Sequence, residues 1–432
     1  MKVDLIVKTK GQLVTCASFG KPKRGAAMRD VGIIEGGAVA ATNGKIVAVG
    51  KSENVLAQYQ AEKTLDAGNL AVTPAFVDPH THIVYAGNRL DEFEQKISGA
   101  DYLEILAAGG GIISTVNKTR ETGFDELLLQ SRKRLDKMFS CGTGTVEIKT
   151  GYGLDAETEL KMLDVIAELD RMHPIDIVPT FLAAHAIPPE FKGDPEGYVR
   201  LICGEMLPKA WAWYRNSRFS GRVPFFADVF TEKNAFDIEQ SRRILSTAKG
   251  LGFALKAHVD EFTNLGGSRL SIELGAASID HLDAISDAEI ELLAASDTVG
   301  VITPTVNFNF GSTHFANARK LIDSGCAIAL STDYNPGSAP CPSQPMVMAI
   351  ACRYQKLSPA EAFNAATVNA AYAVGAGARA GSFEIGKDAA ILVLNTTDYR
   401  DAAYEFGGSV IETMIKTRRP DGEPAKQKEI AK

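Results

Sequence analysis

Two histidines separated by one residue, His80 and His82, close an apolar run in "NLAVTPAFVDPHTHIVYAGNRLDEF". In an extended strand, residues i and i+2 point to the same side, so both imidazoles can reach one ion. The pair alone is a weak signal, because histidines also serve as polar caps at strand ends. The chain repeats the arrangement, however. Apolar runs end in "LAAHAIP" with His185, "KAHVDE" with His258 and Glu261, "IDHL" with His281, and "STDYNPGS" with Asp333. Five of the seven histidines stand at such ends; His173 and His314 do not. Three imidazoles (His80, His82 and His258) and the Asp333 carboxylate make a donor set for Zn²⁺ or Fe²⁺, with a position left for water. A metal held there would polarise a carbonyl and acidify water.

Other residue types complete a hydrolytic site. Glu261, three residues beyond His258, is a candidate proton shuttle, against an exposed strand-end carboxylate. His281 can hydrogen-bond a developing oxyanion or the nucleophile, against a structural imidazole. Arg89 offers a planar fork for a substrate carboxylate, with a surface salt bridge as the competing reading. Tyr102 and Tyr152 are candidate hydroxyl donors or buried aromatics.

These residues need elements that bring them together. Eight short apolar runs cover 71–82, 142–153, 176–186, 225–232, 253–261, 276–282, 298–305 and 327–337. Helix-length amphipathic segments such as "DELLLQSRKRLDKMF", "DAETELKMLDVIAELDRM" and "DIEQSRRILSTAKGLG" lie between them. Strands alternating with helices predict a (β/α)8 TIM-like barrel over 71–380, whose strand C-termini gather the functional groups. An open doubly wound sheet is the alternative, but no GxGxxG or Walker segment supports a nucleotide-binding version. Residues 1–70 and 381–432 are β-rich, with an Asn43-Gly44 hairpin signal, and predict one small β-sandwich domain built from both termini. "AGGGI" at 108–112 reads as a mobile Gly-rich loop.

Composition sets the outer limits. The chain has 432 residues, 45% of them apolar and 23% charged, with a net charge of −7. That acidity argues against nucleic-acid and anionic-membrane partners. No run approaches the roughly 20 apolar residues that span a bilayer. "MKVDLIVKTKGQLV" alternates like a strand and lacks a signal-peptide apolar block. Six scattered cysteines without a CxxC read as free thiols, so a reducing, cytoplasmic setting is expected.

Taken together, "PAFVDPHTHIVYAGNRLDEF", "YLEILAAGGGIISTV", "EIKTGYGLDAETELKML", "TFLAAHAIPPEF", "AHVDEFTNLGG", "ELGAASIDHL" and "ALSTDYNPGS" resemble the amidohydrolase superfamily, and within it the imidazolonepropionase family. The resemblance runs from about residue 30 to 418. It implies one Zn²⁺ or Fe²⁺/Fe³⁺ per chain at His80, His82, His258 and Asp333. It implies substrate contacts at Arg89, Tyr102, Tyr152, His185, Glu261, Asn335, Gly337 and Ser338. Glu261, His281 and Asp333 would share catalysis, and the assembly would be a homodimer. The implied reaction is water attack on the ring carbonyl of 4-imidazolone-5-propionate, giving N-formimidoyl-L-glutamate. Four segments depart from the family pattern: "VITPTVNFNFGSTHF" with Asn307 and Asn309, the Thr231-Glu232 pair, the longer and more aromatic "WAWYRNSRFSGRVPF" before it, and "HVDE". They leave open a paralogue acting on a related ring, such as a 2-thioxo analogue attacked at C2 with release of sulfide. A non-catalytic relative would be expected to lack ligands, and this chain lacks none of the set.

Overall fold

The eight apolar runs each supply a parallel strand, paired in chain order. In this computed structural model, which describes residues 1–99 and 110–416, the strands are Phe76–Asp78, Thr143–Lys149, Asp176–Ala184, Phe226–Thr231, a fifth broken into Ala254–Leu255 and His258–Val259, then Ser278–His281, Val299–Ile302 and Ile328–Leu330. A parallel bridge between Thr81 and Tyr334 brings the first and last together. The His82 N–H donates to the Tyr334 carbonyl at 3.0 Å beside that bridge. The Gln344 amide reinforces the junction by donating to the carbonyls of Val77 and Leu330, each at 3.3 Å. Every residue of the second and third strands is buried, as expected where helices cover a parallel sheet.

The intervening helices start and stop where the sequence supplies end groups. Asp155 accepts the Thr158 N–H at 2.7 Å before the helix Ala156–Met172. Asp237 forms a capping box before Ile238–Leu251, and Gly252 ends that helix at φ 112°.

The first run does not enter the barrel whole. Val72–Pro74 pairs with Ala390–Leu394, and only Phe76–Asp78 joins the parallel sheet. Pro74 has no N–H to extend the ladder. The Ala75 N–H still reaches the Ala390 carbonyl, and that of Phe76 turns to Gly142, each at 3.0 Å.

Beside the barrel lie two further sheets. One orders Lys45–Lys51, Gly37–Thr42, Lys2–Lys8 and Gln60–Asp66; the other orders Ile411–Lys416, Ala390–Leu394, Val72–Pro74, Gln12–Val14 and Ile33–Glu35. Leu5, Val7 and Val39 from the first share an apolar cluster with Leu13, Val72, Ile391 and Val393 from the second. Asn43 and Gly44 take φ of 53° and 76°, the left-handed pair a tight hairpin needs.

Candidate active site

At the C-terminal ends of the strands, three ring nitrogens converge. His82 Nε2 lies 3.2 Å from His80 Nε2 and 3.3 Å from His258 Nε2, and Asp333 Oδ1 lies 3.5 Å from both His80 Nε2 and His82 Nε2. Behind the rings, His80 Nδ1 meets Asp280 at 2.7 Å and His258 Nδ1 meets Asp228 at 3.1 Å. A neutral imidazole that donates from Nδ1 presents a lone pair at Nε2. His80 and His258 therefore turn lone pairs toward His82, whose own Nδ1 has no hydrogen-bond partner among the described residues. Protonation would be costly: burial first, then neighbouring charges including Lys149, pushes His80 and His82 well below the ordinary histidine range. Asp333 Oδ1 is buried without a hydrogen-bond partner among the described residues. Burial pushes that carboxyl up, and a cation beside it would hold it ionised. The donor set fits a divalent metal.

Backbone conformation sharpens the placement. Asp260, His281 and Asp333 adopt φ of 56°, 87° and 46°. Left-handed non-glycine residues cost on the order of 1–3 kcal/mol each and persist where surroundings over-determine them.

Beneath the histidines lies a layer that the sequence reading missed. Lys149 Nζ reaches Glu147 and Asp228 at 2.7 Å each and Asp280 at 3.7 Å. Lys256 Nζ donates to Ser278 at 2.7 Å and to the Pro79 carbonyl at 3.0 Å, with Asp280 3.5 Å away. Both lysine side chains are fully buried. Burial opposes the Lys149 charge, but Asp228, Glu147 and Asp280 overcome it and raise its pKa. One ammonium thus ties together the two carboxylates that orient His80 and His258. The available signal was a pair of charges, Glu147 and Lys149, two residues apart in a buried run.

Above the histidines opens a cavity of about 630 Å³. Its walls include His82, Arg89, Tyr152, His185, Glu261, His281, Asp333, Asn335, Gly337 and Ser338. Tyr102 lies outside the described residues. His185 stacks on His82 with ring centroids 4.9 Å apart, and its Nδ1 donates to the Gly151 carbonyl at 3.0 Å. Burial, with His258 beside it, pushes His185 down to about 3, so it stays neutral. Tyr152 is likewise held as a neutral phenol, by burial and then by Asp333. Glu261 Oε2 sits 3.9 Å from His281 Nε2, and His281 Nδ1 meets the Thr303 hydroxyl at 3.0 Å. Burial and then Asp333 push Glu261 well above the usual carboxylate range. His281 also belongs to a ligand-capable group with His80 and Asp333, closer to the metal position than the sequence required.

The cavity's other side differs from the simple fork expected of Arg89. Its Nε and Nη2 both donate to Glu92, at 2.8 and 2.5 Å, and Glu92 also accepts the Gly111 N–H at 2.9 Å. The remaining Nη1 lies against Gly337, where any Cβ would collide with it. Asn335 is also committed. Its amide donates to the Asp333 carbonyl and the Ser338 hydroxyl at 2.7 Å, and its oxygen accepts the N–H groups of Gly337 and Ser338 at 2.8 Å. It shapes the loop that carries Asp333.

Two of the segments that depart from the family pattern hold loops. Asn307 donates to Asp283 at 3.0 Å, tying the strand-seven loop to strand six. Asn309 approaches the Gly337 carbonyl at 3.5 Å. Glu232 accepts the N–H groups of Phe262 and Thr263 at 3.1 and 3.0 Å, fixing the turn just after Glu261.

Comparison with known proteins agrees with this architecture. The amidohydrolase family model matches residues 249–423. An adenosine deaminase structure from Xanthomonas campestris superposes with a TM-score of 0.72 at 20% identity, covering 100% of this chain and 94% of that one, which speaks to the fold. The imidazolonepropionase of Chloroflexus aggregans is 51% identical over 414 residues, 96% of this chain and 97% of its own length. That of Herpetosiphon aurantiacus is 49% identical over 416 residues, 96% of each. The chain belongs to the imidazolonepropionase family of amidohydrolases.

Proposed function

We propose that this enzyme hydrolyses the ring C–N bond of 4-imidazolone-5-propionate to N-formimidoyl-L-glutamate, a step of histidine degradation. The observation that carries this reading is the convergence of three imidazole nitrogens and a buried carboxylate at one side of a cavity whose other side presents Arg89. His80, His82, His258 and Asp333 would hold the metal, zinc or iron. When bound there, that metal supplies polarisation of the ring carbonyl and acidification of water.

The chain's own groups supply orientation and proton transfer. Arg89 Nη1, set against Gly337, directs the propionate carboxylate. His185 and Tyr152, both neutral, offer acceptor and donor edges to the ring. Glu261, whose raised pKa lets it hold a proton at Oε2, takes one from the attacking water and returns it to the departing ring nitrogen. His281 Nε2, without a partner among the described residues, faces the reacting carbonyl and stabilises the charge that develops on its oxygen. The reading includes a cytoplasmic homodimer, which light scattering on the purified protein would test.

An ultraviolet assay with imidazolone propionate tests the reaction, and the 2-thioxo analogue serves as its comparison. Consumption of the thioxo compound alone, with sulfide released, would sink the reading. The thioxo alternative rested partly on Asn307 and Asn309, whose amides face Asp283 and Gly337. Metal analysis is expected to find about one zinc or iron per chain.

A further inference from the structure

Arg89 does not bring an unbalanced charge to the cavity. Glu92 holds two of its nitrogens bidentately, so a carboxylate arriving at Nη1 meets an ion pair that is already neutral. The surplus positive charge on this wall belongs to Lys96. It lies seven residues beyond Arg89, two turns along the helix Leu90–Ile97 and hence on the same side. Lys96 borders the same cavity and is half-buried. Among the described residues, its Nζ has no carboxylate within ion-pairing distance. It lies over the face of Phe310, 5.4 Å from the ring centroid. Glu92, one helical turn before it, is committed to Arg89. Burial and then the Arg89 charge push Lys96 down, with Glu92 opposing, and an anion bound between the two cations would offset their repulsion.

We propose that Lys96 is the second cation of the substrate-carboxylate subsite, a specificity-determining residue whose charge the propionate neutralises. The inference rests on the reading of a carboxylate-bearing ring substrate. Arg89, Glu92 and Lys96 together carry one net positive charge. Arg89 supplies direction through a fixed Nη1, and Lys96 supplies the charge that selects an anion. Lys233 also borders the cavity, but it is exposed and follows strand four.

The test uses the metal-loaded full chain and two ligands measured by calorimetry, imidazole-4-propionate and the uncharged 4-propylimidazole. Wild type is expected to prefer the carboxylate. Lys96→Gln is expected to weaken imidazole-4-propionate about ten-fold and 4-propylimidazole less than two-fold, the scale of losing one half-buried ionic partner. Lys96→Arg should restore most of the preference, and Lys233→Gln should leave it unchanged. Equal losses for both ligands, no loss for either, an effect confined to Lys233→Gln, or a wild type without carboxylate preference would each overturn the inference. Binding is read without turnover. Failure of the wild type to hydrolyse imidazolone propionate therefore counts against the proposed reaction alone.

Discussion

The floor and the wall of the cavity handle charge in opposite ways. On the floor, Lys149 is fully buried and surrounded by Glu147, Asp228 and Asp280, so its charge is completely compensated by the protein. On the wall, Lys96 is half-buried and, among the described residues, meets only an aromatic face. A buried charge without partners is costly, so compensation inside the barrel makes a rigid support. Incomplete compensation at the wall leaves a place for a ligand's charge. The same residue type is scaffold in one place and recognition element in the other, and its partners decide which.

The largest way to break the floor is to remove a ring from the donor set. His258→Ala is expected to lose metal and more than about 100-fold of activity, beyond the effect of altering an outer partner. Metal content and initial rates measured side by side check this; retained stoichiometric metal would contradict the assignment.

Lys149→Met removes the cation shared by Glu147, Asp228 and Asp280 and leaves Lys256, 3.5 Å from Asp280, as the remaining ammonium in the layer. A destabilisation of ~3–5 kcal/mol is expected in chemical denaturation, as for other broken buried pairs. Zinc affinity, read by chelator competition, should fall by about 10–100-fold. Unchanged affinity would make the layer a matter of stability alone.

At the wall, Arg89→Ala is expected to cost the propionate substrate ~2–4 kcal/mol of transition-state binding, partly because Glu92 is left without its partner. The double variant Arg89→Ala/Glu92→Gln should recover part of that loss in kcat/KM. Equal rates for the two variants would show that the Arg89–Glu92 pair does not act as a unit.

A compensated carboxylate far from the cavity extends the comparison. Glu361 accepts from Arg319 at 2.8 Å and from Arg29 at 3.1 Å, joining residues distant in the chain. Burial opposes its ionisation, yet Arg319, the Ser358 N–H and Arg29 bring it down to about 2. Its folded pKa lies below its unfolded value, so its contribution is complete above about pH 4.5 and disappears as pH falls toward 2. At most ~3 kcal/mol is involved. Wild type should lose stability over that window, and Glu361→Gln should show a shallower acid dependence. Parallel acid curves would refute it.

Much of this architecture was legible because barrel strands carry periodic signals. The eight runs and the residues at their ends could be read directly, since a buried parallel strand is apolar and its C-terminal neighbour must be polar to face the cavity. His80 and His82 were readable as a pair because side chains alternate along a strand. Asp228 and Asp280 were not recognised as partners. Each is one charge in an apolar run, and only the barrel brings strand four to strand five and strand six to strand one across the axis. The Arg89–Glu92 pairing was local enough to be considered at three residues' spacing. Its geometry, however, depends on where Gly111 and Gly337 hold the two side chains.

By itself, the sequence determined the fold class and the family, because these follow from strand periodicity and matched motifs. Tertiary structure alone decided how charge is shared. It placed Lys149 between carboxylates from three strands, committed Arg89 to Glu92, and left Lys96 facing the cavity. Charge compensation is a property of distance and burial in three dimensions, and neither is written along the chain.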